Sequence, residues 1–333
     1  MGHEEMAALV AGMGNQLRWA RNLTIQQISP VRHVVLCGMG GSGISGDFAT
    51  VLASAPLQVH KGYELPEWVG DVEPLILAVS YSGDTEEVLS GARAAIELGL
   101  PIAWVSSGGE LAALGRTNDW PGVMLPEGLP PRASLGYLLG AVVRLLGAGG
   151  AVPDPLGALD EAATVVDELT RPGSAAHALA EDLAEGLDGR LVVVYGSQGL
   201  TAPVAQRFKT QLNENAKWPA WWGVIPELDH NEITGWASLR EVTVRRVGIL
   251  AVRDRGESLA VAARFRHTQS VTEESVPWVG EVWSYGESKL ARMMSLVTVG
   301  DLLSLEMARL AGADPTQVPA IEELKTRLKE ESR

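Results

Sequence analysis

The chain has 333 residues, 46% of them hydrophobic and 20% charged, with a formal net charge of -14. That much apolar material supports a real core and excludes a disordered chain, and the acidic balance disfavours general binding to nucleic acid or to an anionic membrane. The single cysteine, Cys37, excludes an internal disulfide framework and suits a reducing cytoplasm. Residues 1–10 lack the basic flank and apolar core of a signal peptide. The most membrane-like segment, 135–152, carries Arg144 and several glycines, so it reads as a buried helix with its loop. A soluble cytoplasmic protein is expected.

Residues from about 4 to 21 place Met6, Leu9, Val10, Met13 and Leu17 along one face and predict a lead-in helix. The short β-branched run at 33–37 predicts a buried strand. It ends in Gly38-Met39-Gly40-Gly41-Ser42-Gly43, with a helix expected from near Ile44. A strand feeding a glycine-rich turn and then a helix offers bare N–H groups to an anion. A second unit follows: a strand at 75–79, the turn Ser80-Tyr81-Ser82-Gly83-Asp84-Thr85, and a helix at 86–98. A third strand, 102–105, leads into Ser106-Ser107-Gly108-Gly109. Strands alternating with helices predict an α/β fold with a doubly wound parallel sheet, in which ligands sit at the carboxyl ends of the strands, where these three turns lie.

Residues 147–155, rich in Gly, Ala and Pro, read as a boundary, followed by helical stretches at 156–169 and 174–187. Then the pattern restarts. Residues 191–199 echo 33–43, and 247–252 echo 74–79, as expected of an internal duplication into two α/β halves. The expected division is 1–150 for the lead-in helix and first half, 151–310 for the linker helices and second half, and 311–333 for a helical tail. Where the first half has Ser80, Ser82 and Thr85, the second has Arg253-Asp254-Arg255-Gly256-Glu257-Ser258. Hydroxyls have given way to charge, so one phosphate site per chain is expected, in the first half. Residues 289–310 have helical apolar spacing, Gly312-Ala313-Asp314-Pro315 breaks it, and a last helix at 320–328 carries Lys325.

Ser80, Ser82 and Thr85 around Gly83 can each donate to a phosphate oxygen, at about 1.5–3 kcal/mol per hydrogen bond to a charged group. The structural alternative is a helix N-cap and its turn. Residues 213–236 hold two separated groups able to move protons, Glu214 and His230, with a second carboxylate at Glu232. The alternatives are a solvated helix carboxylate and a turn histidine bonded to Asp229 or to backbone. Trp218, Trp221, Trp222 and Trp236 crowd this stretch. Aromatic walls exclude water and can tune a base, although core or subunit-interface packing is the ordinary role of most such tryptophans. Arg132, after two prolines, can steady developing negative charge or pair with a surface carboxylate. No His/Cys/Glu spacing suggests a zinc site.

Gly38-Met39-Gly40-Gly41-Ser42-Gly43-Ile44 with Gly46-Asp47, Ser80 to Thr85, Asn213-Glu214-Asn215-Ala216-Lys217 and His230-Asn231-Glu232-Ile233 resemble the bifunctional phosphoglucose/phosphomannose isomerases of the sugar isomerase (SIS) superfamily. The similarity covers nearly the whole chain, including Asp314-Pro315 and Leu324-Lys325. The serine turn marks the superfamily only; the Asn213–Lys217 and His230–Glu232 segments are far more specific. The resemblance implies two SIS-type subdomains, each a parallel sheet flanked by helices, and a homodimer. It implies an aldose–ketose isomerase of fructose 6-phosphate, glucose 6-phosphate and mannose 6-phosphate, with no cofactor and no metal. By the same resemblance Gly41, Ser42, Ser80, Ser82 and Thr85 bind the phosphate. Glu214 moves the proton between C1 and C2 through a cis-enediol(ate), and Arg132 stabilises the enediolate. His230 assists ring opening from the other subunit. Lys325, with Lys329 as its rival, contacts the ring oxygen or hydroxyls. Val318 stands where the resemblance leads one to expect a threonine in dual-specificity members. Two other readings stand beside this one: a non-catalytic SIS sensor of a sugar phosphate, for which no basic helix-turn-helix candidate is found, and an SIS enzyme of another sugar phosphate.

Overall fold

The computed structural model describes residues 2–331, except for the side chains of Lys329 and Glu331. Among the described residues nine parallel strands form two sheets. The first is ordered β2-β1-β3-β4-β5, from β1 (Val34–Cys37), β2 (Leu57–His60), β3 (Leu75–Val79), β4 (Ile102–Ser106) and β5 (Gly122–Met124). The second is ordered β7-β6-β8-β9, from β6 (Leu191–Ser197), β7 (Ala220–Ile225), β8 (Val247–Arg253) and β9 (Val279–Trp283). In each sheet the chain starts at an inner strand, crosses to one side, and then returns to build the other. The duplication expected from the sequence is therefore visible as one winding used twice, with β5 as the first sheet's extra strand.

The inner strands form where apolar runs can be covered on both faces. β1, β3, β4 and β8 are buried at every position. Reversal of winding creates a crevice between β1 and β3, and its counterpart between β6 and β8, at the carboxyl ends of the strands. The sheets share their largest apolar cluster, which takes Leu36, Leu77 and Val105 from one and Val194, Leu250 and Val252 from the other. Helices Leu135–Ala148, Pro155–Thr170 and Lys289–Ala311 contribute to the same cluster. The last of these is buried almost all round, the pattern of a helix inside a protein rather than on its surface.

Two boundaries differ from expectation in ways that matter. The lead-in helix is two helices, Gly2–Ala11 and Met13–Arg21, separated at Gly12. The helix after β1 starts at Gly40 rather than near Ile44, because the N–H groups of Ser42 and Gly43 already close onto the Met39 carbonyl at 3.0 Å. The glycine turn is thus the first turn of that helix, and its leading N–H groups face the crevice end of β1. The last helix runs Pro319–Glu331. Among the described residues no helix is long and apolar enough to cross a membrane.

Candidate active site

The turns after β1 and β3 meet at the crevice. Ser42, 5% exposed, accepts the Tyr81 N–H on its hydroxyl at 3.2 Å. Ser80 accepts the Gly83 N–H at 3.0 Å and shares a proton with the Thr85 hydroxyl at 2.8 Å. Ser82, exposed, accepts the Asp84 N–H at 3.3 Å. A hydroxyl that accepts from the backbone keeps its own proton to donate, so the three backbone contacts fix Ser42, Ser80 and Ser82 without spending an O–H, whereas the Ser80–Thr85 bond takes up one of that pair's two protons. Gly83 has φ +80, and a Cβ there would stand 1.8 Å from the Gly108 carbonyl oxygen, so the turn admits no side chain. Thr85 occupies the N-cap position of the helix Glu86–Glu97, yet its side chain makes no capping bond, and neither does Met39 at the helix Gly40–Leu52. Two helix N-termini with uncapped N–H groups converge here, the ordinary protein device for holding an anion.

Gly41 closes the approach to the next element: a Cβ there would lie 2.9 Å from the Pro131 carbonyl oxygen. Pro131 opens the 3-10 turn Pro131–Ala133, which carries Arg132 on a stiff segment. Arg132 is 6% exposed. Its Nε donates to Asn215 Oδ1 at 2.8 Å, and its Nη2 to the carbonyls of Pro315 and Thr316 at 2.6 and 2.9 Å. Its Nη1 lies 3.8 Å from Glu214 Oε2, an ion pair beyond hydrogen-bond range. Burial lowers the Arg132 pKa and Glu214 works against that shift. Glu214 is the last residue of helix Thr201–Glu214, and its side chain is 31% exposed. Lys217, at φ +54, turns its ammonium back onto the carbonyls of Glu214, Asn215 and Asp314. Desolvation first, then Arg132, lowers the Lys217 pKa. Two cations beside Glu214 therefore also grip the 314–316 segment.

His230 is not part of this cluster within one chain. It ends the 3-10 turn Glu227–His230 beyond β7, is exposed, and its ring has no hydrogen-bond partner among the described residues. Asp229 is bound instead to Arg264 at 3.0 Å and Thr268 at 2.7 Å. Glu232 accepts from the Tyr195 hydroxyl at 2.5 Å, and Trp236 Nε1 donates to that hydroxyl at 3.0 Å. Burial, then Glu232, pushes the Tyr195 pKa up, so the phenol stays protonated. Glu232 and Trp236 thus brace the loop that carries His230. Trp218 donates to the Arg190 carbonyl at 2.6 Å, whereas Trp221 and Trp222 stand exposed on the edge strand β7. Lys325 is exposed on the final helix and forms no hydrogen bond or ion pair with Arg132 or Glu214 among the described residues; the rival Lys329 has its side chain outside them. Among the described residues no group of three or more His, Cys, Asp or Glu side chains is placed to hold a metal ion.

Against known proteins, the chain is 35% identical over 336 residues to the bifunctional phosphoglucose/phosphomannose isomerase of Aquifex aeolicus, covering 98% of this chain and 99% of that one. The chain belongs to the bifunctional phosphoglucose/phosphomannose isomerase family. The family is one of isomerases, and its bacterial phospho-glucose isomerase C-terminal SIS domain model matches residues 176–328. The chain is also 31% identical to a D-glucosamine-6-phosphate 4-epimerase of Sulfolobus acidocaldarius, over 64% of this chain and 67% of that one. Its fold matches the C-terminal domain of glucosamine-fructose-6-phosphate aminotransferase from Francisella tularensis, at a TM-score of 0.72 and 15% identity, over 96% and 98% of the two chains. The SIS architecture expected from the sequence is therefore the one observed.

Sequence reasoning missed several residues that hold Arg132 in place. Asn215 stands in the sequence only as a neighbour of Glu214, yet it holds the Arg132 guanidinium. Arg207, Gln211, Asp301 and Ser304 stand behind it, and all but Asp301 carry no local signal, since a polar residue within an apolar helix pattern shows its partner only once the helices are packed. Asp301 alone offered a hint, as a carboxylate in the middle of the most apolar stretch of Lys289–Ala311.

Proposed function

We propose that the chain interconverts fructose 6-phosphate with glucose 6-phosphate and mannose 6-phosphate by moving a proton between C1 and C2. The turns after β1 and β3 hold the phosphate, through Gly41, Ser42, Ser80, Ser82 and Thr85. Glu214 takes the proton next to the carbonyl, and Arg132 stabilises the cis-enediol(ate) oxygen. A proton alpha to a carbonyl needs a positioned base and a partner for the developing oxyanion, and these two side chains are the pair available. The observation that carries the reading is the state of the Arg132 guanidinium. Nε and Nη2 are committed to Asn215, Pro315 and Thr316, and only Nη1, beside Glu214, is left to donate to a substrate oxygen.

His230 assists ring opening from the partner subunit of a homodimer; its exposed, unpartnered ring supports that role. Lys325 contacts the ring oxygen or hydroxyls. The first sheet and its turns supply the phosphate site, and residues 151–310 supply base and histidine. The protein acts in the cytoplasm, in keeping with its one cysteine, whose burial pushes its pKa up to about 12 and leaves it an unreactive thiol.

The relationship to a 4-epimerase favours a second reading, in which the same site works on another sugar phosphate. A coupled assay on fructose 6-phosphate with chelator present separates the two. Formation of glucose 6-phosphate and mannose 6-phosphate is the expected result, and the second product would make Val318 a poor marker of specificity. Phosphate-sugar binding without either product would overturn the hexose 6-phosphate assignment.

A further inference from the structure

Asp301 lies inside helix Lys289–Ala311 and is 2% exposed. Its carboxylate accepts from Arg207 Nη2 at 2.7 Å and from Gln211 Nε2 at 3.0 Å, both on helix Thr201–Glu214. The two helices come together because Gly300 has no side chain: a Cβ there would stand 2.4 Å from the Phe208 ring. The same Arg207 Nη2 donates to the Arg132 carbonyl oxygen at 3.1 Å. One turn further on, Ser304 gives its proton to the Asp301 carbonyl at 2.6 Å and accepts from Asn215 Nδ2 at 3.0 Å. Asn215 Oδ1 in turn accepts from Arg132 Nε. Arg132 is held at its backbone and at its guanidinium, and both lines end on one turn of one helix.

As a device for stability the arrangement is poor. An ion pair this deeply buried offsets its desolvation only when the remaining protons and lone pairs are satisfied. Here Arg207 Nε and Gln211 Oε1 have no partner among the described residues. Burial raises the Asp301 pKa against the pull of Arg207. Apolar side chains would fill the same space at less cost, but they could not hold the Arg132 carbonyl in place.

We propose that Asp301 is a positioning residue: through Arg207 it fixes the Arg132 backbone, while Ser304 through Asn215 fixes the guanidinium, so that the one uncommitted nitrogen of that guanidinium faces Glu214 and the substrate. The inference rests on the reading of Arg132 as the group that stabilises the enediolate. It adds that the second sheet's helices aim an arginine carried by the first half of the chain.

The test is a double-mutant cycle on fructose 6-phosphate turnover. Asp301→Asn keeps the shape and removes the charge. The expected result is a fall in kcat of about 30-fold with KM changed by less than about threefold, since sub-ångström to ångström displacements of a reacting group cost rate far more than binding. On an Arg132→Ala background the same substitution should cost less than about threefold in kcat, because its route of action is already gone. Ser304→Ala cuts only the Asn215 line and should show the same pattern at about fivefold. Should Asp301→Asn fail to fold, Arg207→Lys, which keeps a cation for Asp301 but shortens the reach to the Arg132 carbonyl, decides the matter by the same pattern, and an Arg207→Lys protein with parent kcat overturns the inference. Equal losses with and without Arg132 overturn the inference alone. An Arg132→Ala protein as active as the parent overturns the reading of Arg132 and the inference with it.

Discussion

The turn after β3 and the turn after β8 occupy the same place in two sheets of like winding, but their side chains are committed in opposite ways. In Ser80 to Thr85 the Ser80 and Ser82 hydroxyls accept from backbone, and the Ser80–Thr85 bond takes up one proton of that pair, which leaves Ser82 and the other member of the pair a proton to donate toward the crevice. In the counterpart, Arg253 is 4% exposed and fully engaged. It pairs with Glu257 and Glu281 and stacks 4.3 Å from the ring centroids of Phe265 and Trp283. Asp254 accepts from Ser284 at 2.6 Å and Arg292 at 2.9 Å. Ser258, the one hydroxyl kept, caps its own helix through Val261 N–H. Topology makes a crevice in each half, but the second turn keeps one hydroxyl where the first has three, and its Arg253 and Asp254 are taken up in contacts within the second half and with helix Lys289–Ala311.

That contrast can be broken by substitution. The largest effect is expected at the residue the first half's site serves. Glu214→Gln should lower kcat by about 10³-fold, within the usual range for loss of a general base, while calorimetry still finds the sugar phosphate bound. Equal loss of binding and turnover would make Glu214 structural. Next, Arg253→Met leaves Glu257 buried without its cation, at a cost of about 3–5 kcal/mol in unfolding free energy. Urea melts should show that loss, and kcat and KM of the folded protein should stay at parent values. Smallest, Ser80→Ala should raise KM for fructose 6-phosphate by about tenfold, the equivalent of roughly 1.4 kcal/mol for one charged hydrogen bond, with kcat little changed. An Arg253→Met protein with weakened substrate binding, or a Ser80→Ala protein without it, would erase the distinction between the two turns.

Sequence made the inner strands legible and the edges not. β1, β3, β4, β6 and β8 are apolar runs leading into Gly- and Ser-rich or charged turns, because a central strand of a parallel sheet is covered on both faces. The strands that went unread, β2, β5, β7 and β9, are the four edges of the two sheets. They are only partly buried, β7 even exposing Trp221 and Trp222, so they lack the continuous apolar signature. The glycine- and serine-rich turns were legible because glycine and hydroxyl chemistry is local. Glu214 and Arg132, 82 residues apart in sequence, were legible as candidates, but their 3.8 Å approach belongs to the packed state. The same holds for Lys217, whose left-handed backbone turns a motif lysine onto the 314–316 segment. Glu232 reads in the sequence as a second carboxylate beside Glu214 and His230, whereas it is committed to Tyr195, a partner 37 residues away that no local spacing announces.

The most direct measurement is a crystal structure of the Glu214→Gln protein soaked with glucose 6-phosphate. The account predicts one phosphate per chain, on Ser80, Ser82 and Thr85, with C1 and C2 of the sugar between residue 214 and Arg132 Nη1. A phosphate seated on the turn of Arg253 to Ser258, or one in each half, would contradict it.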